Sequence, residues 1–261
     1  MRYIQDFDIR FYELNSNGCI KESVLFHFLQ EIAAAHAEKE NFGYSFISKT
    51  NHAWFVLKYH VKIHKWQANI FKLRVKTWPR GIFKLTCPRE FEVYSDDGEL
   101  LASASSAWVL VDAQTKRIVR PLDVFPEFPE QTDIKALETD FPKIPDVERT
   151  SFSKVFEVRF DDIDINQHVN NASYITWAFD TLDADFRERY SAKEIEIHYK
   201  KETKLGENIL CVVEYDKKSQ TTIHILKNAQ TDEQLCVLRV AWQKITTEVQ
   251  HEANALSGAG V

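Results

Sequence analysis

The chain has 261 residues, of which 44% are apolar and 28% charged, with seven glycines and seven prolines. That composition excludes collagen-like, low-complexity and disordered classes and supplies enough apolar side chains for a sizeable core. The net charge of −6, with no nucleic-acid motif, argues against a nucleic-acid partner, and no run of about 18 apolar residues offers a membrane-spanning helix.

The N-terminus, Met1-Arg2-Tyr3-Ile4-Gln5-Asp6, has no apolar core of a secretory signal. Alternation of apolar and charged residues predicts a first strand over Phe7–Phe11. A helix over Glu22–Lys39 follows from Val24, Leu25, Phe28, Leu29, Ile32, Ala35 and His36 at helical spacing. Strands are expected over 55–63, 70–78, 84–94 and 100–111, with a hairpin turn at Asp96-Asp97-Gly98. Pro121, Pro126, Pro129, Pro142 and Pro145 then mark a linker. The order starts again with a strand over Phe156–Phe160, a helix over Asn171–Asp183 and strands over 194–201, 209–215, 221–227 and 234–245. The tail 247–261, ending Ala-Leu-Ser-Gly-Ala-Gly-Val, is expected to fray.

The two series align. Phe7-x-Ile9-Arg10-Phe11 matches Phe156-x-Val158-Arg159-Phe160, and Glu99-x-Leu101 with Ala107-Trp108 matches Glu233-x-Leu235 with Ala241-Trp242. We read an internal duplication. One helix before a run of antiparallel strands is the order of a hot-dog fold. The expected class is α+β, a tandem hot-dog of two antiparallel sheets, each wrapped on a central helix and joined as one continuous sheet. The expected division is an N-terminal hot-dog over 1–120, a Pro-rich linker over 121–150 and a C-terminal hot-dog over 151–246.

The densest group of reactive side chains lies between the first strand and the helix of the second copy: Asp164, Asn166 and His168. In an extended segment this spacing of two puts all three on one face. An imidazole supplies a base near neutral pH, a carboxylate can fix its tautomer, and an amide can orient a reactant. The first N–H groups of the following helix can bind an oxyanion. The same residue types also serve as caps and turn formers. In the first copy Asn15, Asn17 and Cys19 fall opposite Asp164, Asn166 and His168, so both titrating groups are missing there. Only the second copy carries Glu202 after the strand that follows the helix.

Asp164-x-Asn166-x-His168-Val169-Asn170-Asn171-x-x-Tyr174, followed by Tyr199-Lys200-Lys201-Glu202, resembles the acyl-acyl-carrier-protein (acyl-ACP) thioesterases. Leu29-Gln30-Glu31-x-Ala33-x-x-His36 and Thr77-Trp78-Pro79 of the first half agree, and the likeness covers residues 5 to 245. The resemblance implies a double hot-dog and hydrolysis of a fatty acyl thioester on acyl carrier protein. It implies catalytic positions at Asp164, Asn166, His168 and Glu202; from the helix start, N–H groups near Asn170 and Asn171 are the expected oxyanion donors. Many plant members carry a Cys after the Glu; Thr203 stands there in this chain, which argues against a covalent thiol mechanism. The first half would supply much of the acyl pocket, with Phe28, Ile32, Trp54, Phe55 and Leu57 as candidates, although core packing explains any one of them.

Between Asn41 and Arg89 there are ten basic residues and no Asp or Glu. Within that stretch Lys62, Lys65, Lys72, Arg74 and Lys76 are candidates for docking an acidic carrier protein; solvated strand faces neutralised by acids from elsewhere are the alternative. Cys19, Cys87, Cys211 and Cys236 form no CxxC pair, so reduced thiols and a cytoplasmic location are expected. No cofactor and no metal is expected. The absence of an Arg/Ser-rich leader fits a bacterial or processed form, and a homodimer is admitted. An acyl-CoA thioesterase of the hot-dog superfamily and a non-catalytic acyl-binding hot-dog module are the rival functions.

Overall fold

Strand β1 (Tyr3–Asp8) is followed by α1 (Glu22–Lys39), α2 (Tyr44–Ile47), β2 (His52–Ile63), β3 (Lys72–Pro79), β4 (Cys87–Ser95), β5 (Leu100–Asp112), β6 (Ile118–Val119) and α3 (Pro121–Val124). The second series is β7 (Phe152–Glu157), α4 (Asn171–Asp180), α5 (Ala184–Arg189), β8 (Tyr190–Tyr199), β9 (Asn208–Asp216), β10 (Thr221–Asn228) and β11 (Gln234–Lys244). The structure is a computed structural model and describes residues 2–128, 132–139 and 141–245. The tail 247–261, expected to fray, lies outside the described residues.

The chain divides into two units, one of Met1–Asp8, His27–Lys65 and Phe71–Phe141, the other of Ile9–Phe26, Trp66–Ile70 and Pro142–Val261. In the first, the antiparallel strand order is β1-β3-β4-β5-β2, with β6 on β5. In the second it is β7-β9-β10-β11-β8. The orders are the same once β1, β2, β3, β4 and β5 are equated with β7, β8, β9, β10 and β11. The duplication read in the sequence is thus a duplication of topology. Two copies of a helix on a five-stranded antiparallel sheet make the tandem hot-dog.

The copies share an irregularity. In β2 the pairing with β5 skips Leu57, and in β8 the pairing with β11 skips Lys193. Each is a β-bulge one residue long, opposite the Ala-Trp pair that ends the matching motif. The two bulges give an internal ruler for equating residues further along β2 and β8.

The first strand of each copy ends earlier than alternation predicts. Arg10 N–H donates to Glu13 Oε2 at 2.7 Å, and Arg159 N–H donates to Asp162 Oδ2 at 2.9 Å. An acid three residues on captures the backbone donor and bends the chain into a 3₁₀ turn, Phe11–Glu13 in one copy and Phe160–Asp162 in the other. The helix expected over Asn171–Asp183 likewise stops at Asp180, because Asp183 accepts Phe186 N–H at 2.6 Å and caps α5.

Helix α4 lies against its whole sheet. Trp177 stacks on Phe156 of β7, Tyr174 meets Tyr199 of β8 edge-on, and Phe179 contacts His224 of β10 and Trp242 of β11. In the first unit Phe28 of α1 stacks on Phe7 of β1 at 4.6 Å, while Ala37, Phe42, Ile47, Leu110 and Phe125 form a second cluster. The Pro-rich stretch is packed there too: Trp78 indole N–H donates to Ile134 O, and Ala136 N–H donates to the buried Glu90 carboxylate.

Candidate active site

The segment from Phe160 to Asn171 is a closed loop, not the extended run that the spacing suggested. Ile163 and Val169 form a bridge, Asp164 N–H donates to His168 O at 2.8 Å, and Gln167 N–H donates to Asp164 O at 3.0 Å. Gln167 takes φ +64°, in the left-handed region. Inside this turn Asp164 Oδ1 accepts the N–H of Asn166 at 2.8 Å and of His168 at 3.4 Å. Asn166 Nδ2 donates to Asp164 Oδ2 at 3.4 Å. Asp164 and Asn166 therefore meet through an Asx turn rather than through strand alternation.

The first copy builds the same loop. Leu14 and Ile20 form the bridge, Asn15 N–H donates to Cys19 O at 2.7 Å, and Gly18 sits at φ +71° in the place of Gln167. Asn15 Oδ1 accepts the N–H of Asn17 and of Cys19 at 3.0 and 3.1 Å. A neutral amide thus does the bracing that Asp164 does, so the loop geometry itself needs no charge at this position.

His168 projects from the end of this loop to Glu202, with Nε2 3.0 Å from Glu202 Oε2. The His168 and Glu202 side chains are 23% and 38% exposed, so water reaches both. With Glu202 ionised, Nε2 carries the hydrogen. Glu202 follows β8, where Lys200 and Lys201 N–H both donate to Leu235 O; in the first copy His64 and Lys65 N–H both donate to Leu101 O. Counted from the bulges at Leu57 and Lys193, the residue in the place of Glu202 is Trp66. The first copy holds buried Cys19 and Trp66 where the second holds half-buried His168 and part-exposed Glu202, and Trp66 donates its indole N–H to Ala192 O.

Of the two asparagines expected as oxyanion donors, the structure corrects one. Asn170 N–H donates to Asp162 O at 2.8 Å, and its side chain caps α4 by accepting Ala172 N–H at 2.9 Å. Ser173 N–H donates to Asn170 O. These bonds leave the Asn171 N–H as the first-turn donor for an oxyanion.

Four further residues frame the pair. Tyr199 Oη donates to Asn171 O at 3.1 Å, and buried Tyr174 meets the Tyr199 ring edge-on. Burial, reinforced by neighbouring acids that include Glu202, raises the Tyr174 phenol above its ordinary range. Thr203 Oγ1 donates to Glu207 Oε2 at 2.5 Å. The motif contained both tyrosines without giving them a task, and Glu207 left no trace in spacing because its partners are fixed only by the turn between β8 and β9.

The remaining candidates are dispersed. Phe28 and Ile32 are buried one turn apart on α1. Trp54 donates its indole N–H to Phe42 O at 2.8 Å and stacks on Phe125. Phe55, next along the strand, faces the opposite way, and Leu57 is the bulge residue. Trp54 thus belongs to the packed cluster and not to a lining shared with Phe55. Lys72, Arg74 and Lys76 do share one face of β3. That face is not free of acid: Asp6 of β1 accepts from Arg74 at 2.8 and 3.1 Å and lies 3.9 Å from Lys72. Lys76 lies over the Tyr94 ring, Lys65 pairs with Glu99, and Lys62 is on β2, three strands from β3. Pairing of β1 with β3 thus brings an acid to Lys72 and Arg74.

The cysteines are free and buried. Burial pushes the Cys87 and Cys211 thiols up to about 12 and Cys236 well above its ordinary value. Such thiols stay protonated and are poor nucleophiles.

Comparison with known proteins gives one answer in three forms. The family model for the acyl-ACP thioesterase N-terminal domain matches residues 1–129, and that for the C-terminal domain matches residues 146–244. Oleoyl-acyl carrier protein thioesterase 2 of Arabidopsis thaliana is 27% identical over 221 residues, covering 77% of this chain and 59% of the relative. Palmitoyl-acyl carrier protein thioesterase of Cuphea hookeriana is 28% identical over 213 residues, covering 76% and 51%. The chain thus spans between half and three fifths of the length of these curated relatives. The 12:0-ACP thioesterase of Umbellularia californica superposes with a TM-score of 0.82 at 21% identity, covering 94% of this chain and 98% of that one. An acyl-ACP thioesterase of Bacteroides thetaiotaomicron gives 0.81 at 20%, covering 93% and 98%; both share the fold. With both domain models matched in order along the greater part of its length, the chain belongs to the acyl-ACP thioesterase family.

Proposed function

We propose that this protein hydrolyses the thioester of a fatty acyl-acyl carrier protein, releasing the free fatty acid and the carrier thiol and so ending chain growth. The observation that carries the reading is the 3.0 Å contact between His168 and Glu202, present in one copy of a duplicated loop and replaced by Cys19 and Trp66 in the other. The activities for which the relatives are named, oleoyl- and palmitoyl-acyl carrier protein thioesterases, point to the same substrate class.

In this reading water binds beside the pair and attacks the thioester carbonyl carbon. The His168–Glu202 pair takes the water proton as the C–O bond forms. Asn166 Nδ2 and the Asn171 N–H stabilise the oxyanion. Collapse breaks the C–S bond, and the proton returns to the departing sulfur. Asp164 holds the loop that carries Asn166 and His168. Thr203 is not the nucleophile, since it is 1% exposed and its hydroxyl proton is directed to Glu207.

The carrier's acidic surface would meet Lys62, Lys65, Lys72, Arg74 and Lys76 in part, with Arg74 the least available because of Asp6. The test is release of free thiol from a chain-length series of acyl carrier proteins beside the same acyl-CoA series. Preference for the carrier-linked series, weakening above about 0.15 M salt, is expected. Equal rates on acyl-CoA would favour the hot-dog acyl-CoA thioesterase, and tight acyl binding without thiol release would favour the binding module.

A further inference from the structure

We propose that Thr203 and Glu207 form a clamp that holds the Glu202 carboxylate on His168, making Thr203 a positioning residue for the reaction. The inference rests on the reading of His168 and Glu202 as the proton-transfer pair.

Glu202 lies in the irregular segment between the end of β8 and the turn at Leu205-Gly206, and it is part-exposed, so its own side chain supplies little restraint. The next residue supplies it. Thr203 is 1% exposed, and its Oγ1 donates to Glu207 Oε2 at 2.5 Å. Glu207 is itself anchored. Its carboxylate also accepts Lys204 N–H at 3.3 Å and Asn228 Nδ2 at 3.4 Å. Its carbonyl accepts Val158 N–H at 2.9 Å, and Gly206 N–H donates back to Val158 O at 3.1 Å. Val158 immediately precedes Arg159, the residue that starts the 3₁₀ turn into the His168 loop. The segment that presents Glu202 and the loop that presents His168 are therefore tied to the same residue.

Positioning to within a fraction of an ångström matters for proton transfer, and a displacement of about 1 Å costs on the order of 100-fold in rate. Thr203 supplies the shortest of the three hydrogen bonds to Glu207 Oε2, the Lys204 N–H and Asn228 Nδ2 lying farther off at 3.3 and 3.4 Å, so removing its hydroxyl takes away the closest donor. The first copy has Gln67 in the place of Thr203 by the same count from the bulge. It has no carboxylate before it to hold, only Trp66.

The experiment is steady-state thioester hydrolysis on the full chain with Thr203→Val, Thr203→Ser, Glu207→Ala and Glu207→Gln, each checked for folding by thermal denaturation. The expected result is a fall in kcat of about 10–100-fold for Thr203→Val and Glu207→Ala with KM within twofold, and recovery to within threefold of wild type for Thr203→Ser and Glu207→Gln, which keep the donor and the acceptor. The double variant Thr203→Val/Glu207→Ala is expected to lose no more than either alone, as two ends of one contact do. Wild-type kcat in a folded Thr203→Val, or additive losses in the double variant, would overturn the clamp. Should Thr203→Val not fold, Glu207→Ala decides: unchanged kcat there overturns the proposal equally. His168→Ala separates the two readings. If it is inactive while Thr203→Val is fully active, only the clamp falls; if it is fully active, the pair itself is misassigned and the clamp goes with it.

Discussion

Glu202 lies 3.0 Å from His168 although 34 residues of chain separate them, and the residues at the equivalent places in the first copy, Trp66 and Cys19, carry no acid and no base. Removing either member of the pair should therefore abolish most of the rate without harming the fold. His168→Ala and Glu202→Ala are each expected to lower kcat by about 10²–10⁴-fold. Thermal midpoints should stay within a few degrees of wild type, since both side chains are partly exposed. Initial rates of thiol release at saturating substrate check this.

Asp164 and Asn15 accept the same pair of loop N–H groups, one as a carboxylate and the other as an amide. Asp164→Asn is accordingly expected to keep the loop and to lose less activity than Asp164→Ala, which removes both acceptors. Hydrogen bonds of this kind contribute about 1 kcal/mol each to stability, so the Ala variant should also melt earlier. Equal losses in the two variants would show that the charge, not the bracing, is what the reaction needs.

Acid should destabilise this protein through its buried histidines. Burial, reinforced by Arg89, lowers His36 to about 4, and burial lowers His224 to about 3. His36 is neutral in the fold because Arg89 Nη1 donates to its Nδ1 at 3.1 Å. The unfolded chain takes up the proton near 6.5 and the folded chain does not. Stability is thus full above about pH 6.5 and falls as the pH drops toward 4, where the His36 contribution to the loss levels off. At about 1.4 kcal/mol per pH unit the His36 share is at most about 3.5 kcal/mol. Thermal melts from pH 7 to 4 are expected to show a falling midpoint, and His36→Asn, which keeps an acceptor for Arg89, should flatten the slope.

The route of the oxygen distinguishes activated water from attack by a carboxylate. With water activated by His168 and Glu202, single turnover in ¹⁸O-water should place the label in the released acid and none in the protein. A mixed anhydride on Glu202 or Asp164 that water opens at the protein carbonyl would put label into that side chain and release the first acid with an unlabelled oxygen from the protein. Mass spectrometry of the acid and of the peptides carrying Asp164 and Glu202 reads both.

Thiol chemistry should be silent. With Cys87 and Cys211 pushed up to about 12 and all four cysteines buried, alkylating reagents at pH 7.5 are expected to leave the rate unchanged over an hour. Four thiols should appear only on denaturation. Rapid inactivation with loss of one thiol would reveal a thiolate that the fold does not predict.

The sequence by itself determined the repeat, the helix α1, nearly every strand, and the unequal distribution of titrating groups between the copies. Those properties are local: periodicity of apolar side chains defines an element, and two similar series of elements with one shared motif define a duplication. It misjudged the ends of β1 and β7, where Glu13 and Asp162 reach back to a backbone N–H, because alternation records side-chain faces and not the hydrogen bond that stops a strand. It left open whether the ten basic residues before Glu90 form a free field or are neutralised from elsewhere; antiparallel pairing sets Asp6 beside Arg74. Only the tertiary structure decided that Asp164 braces a loop, that the Asn170 N–H is already used, and that Thr203 and Glu207 stand behind Glu202. Each of these depends on which donor meets which acceptor across a turn or between strands, and such distances are fixed when the sheet closes on its helix, not by the spacing of residues along the chain.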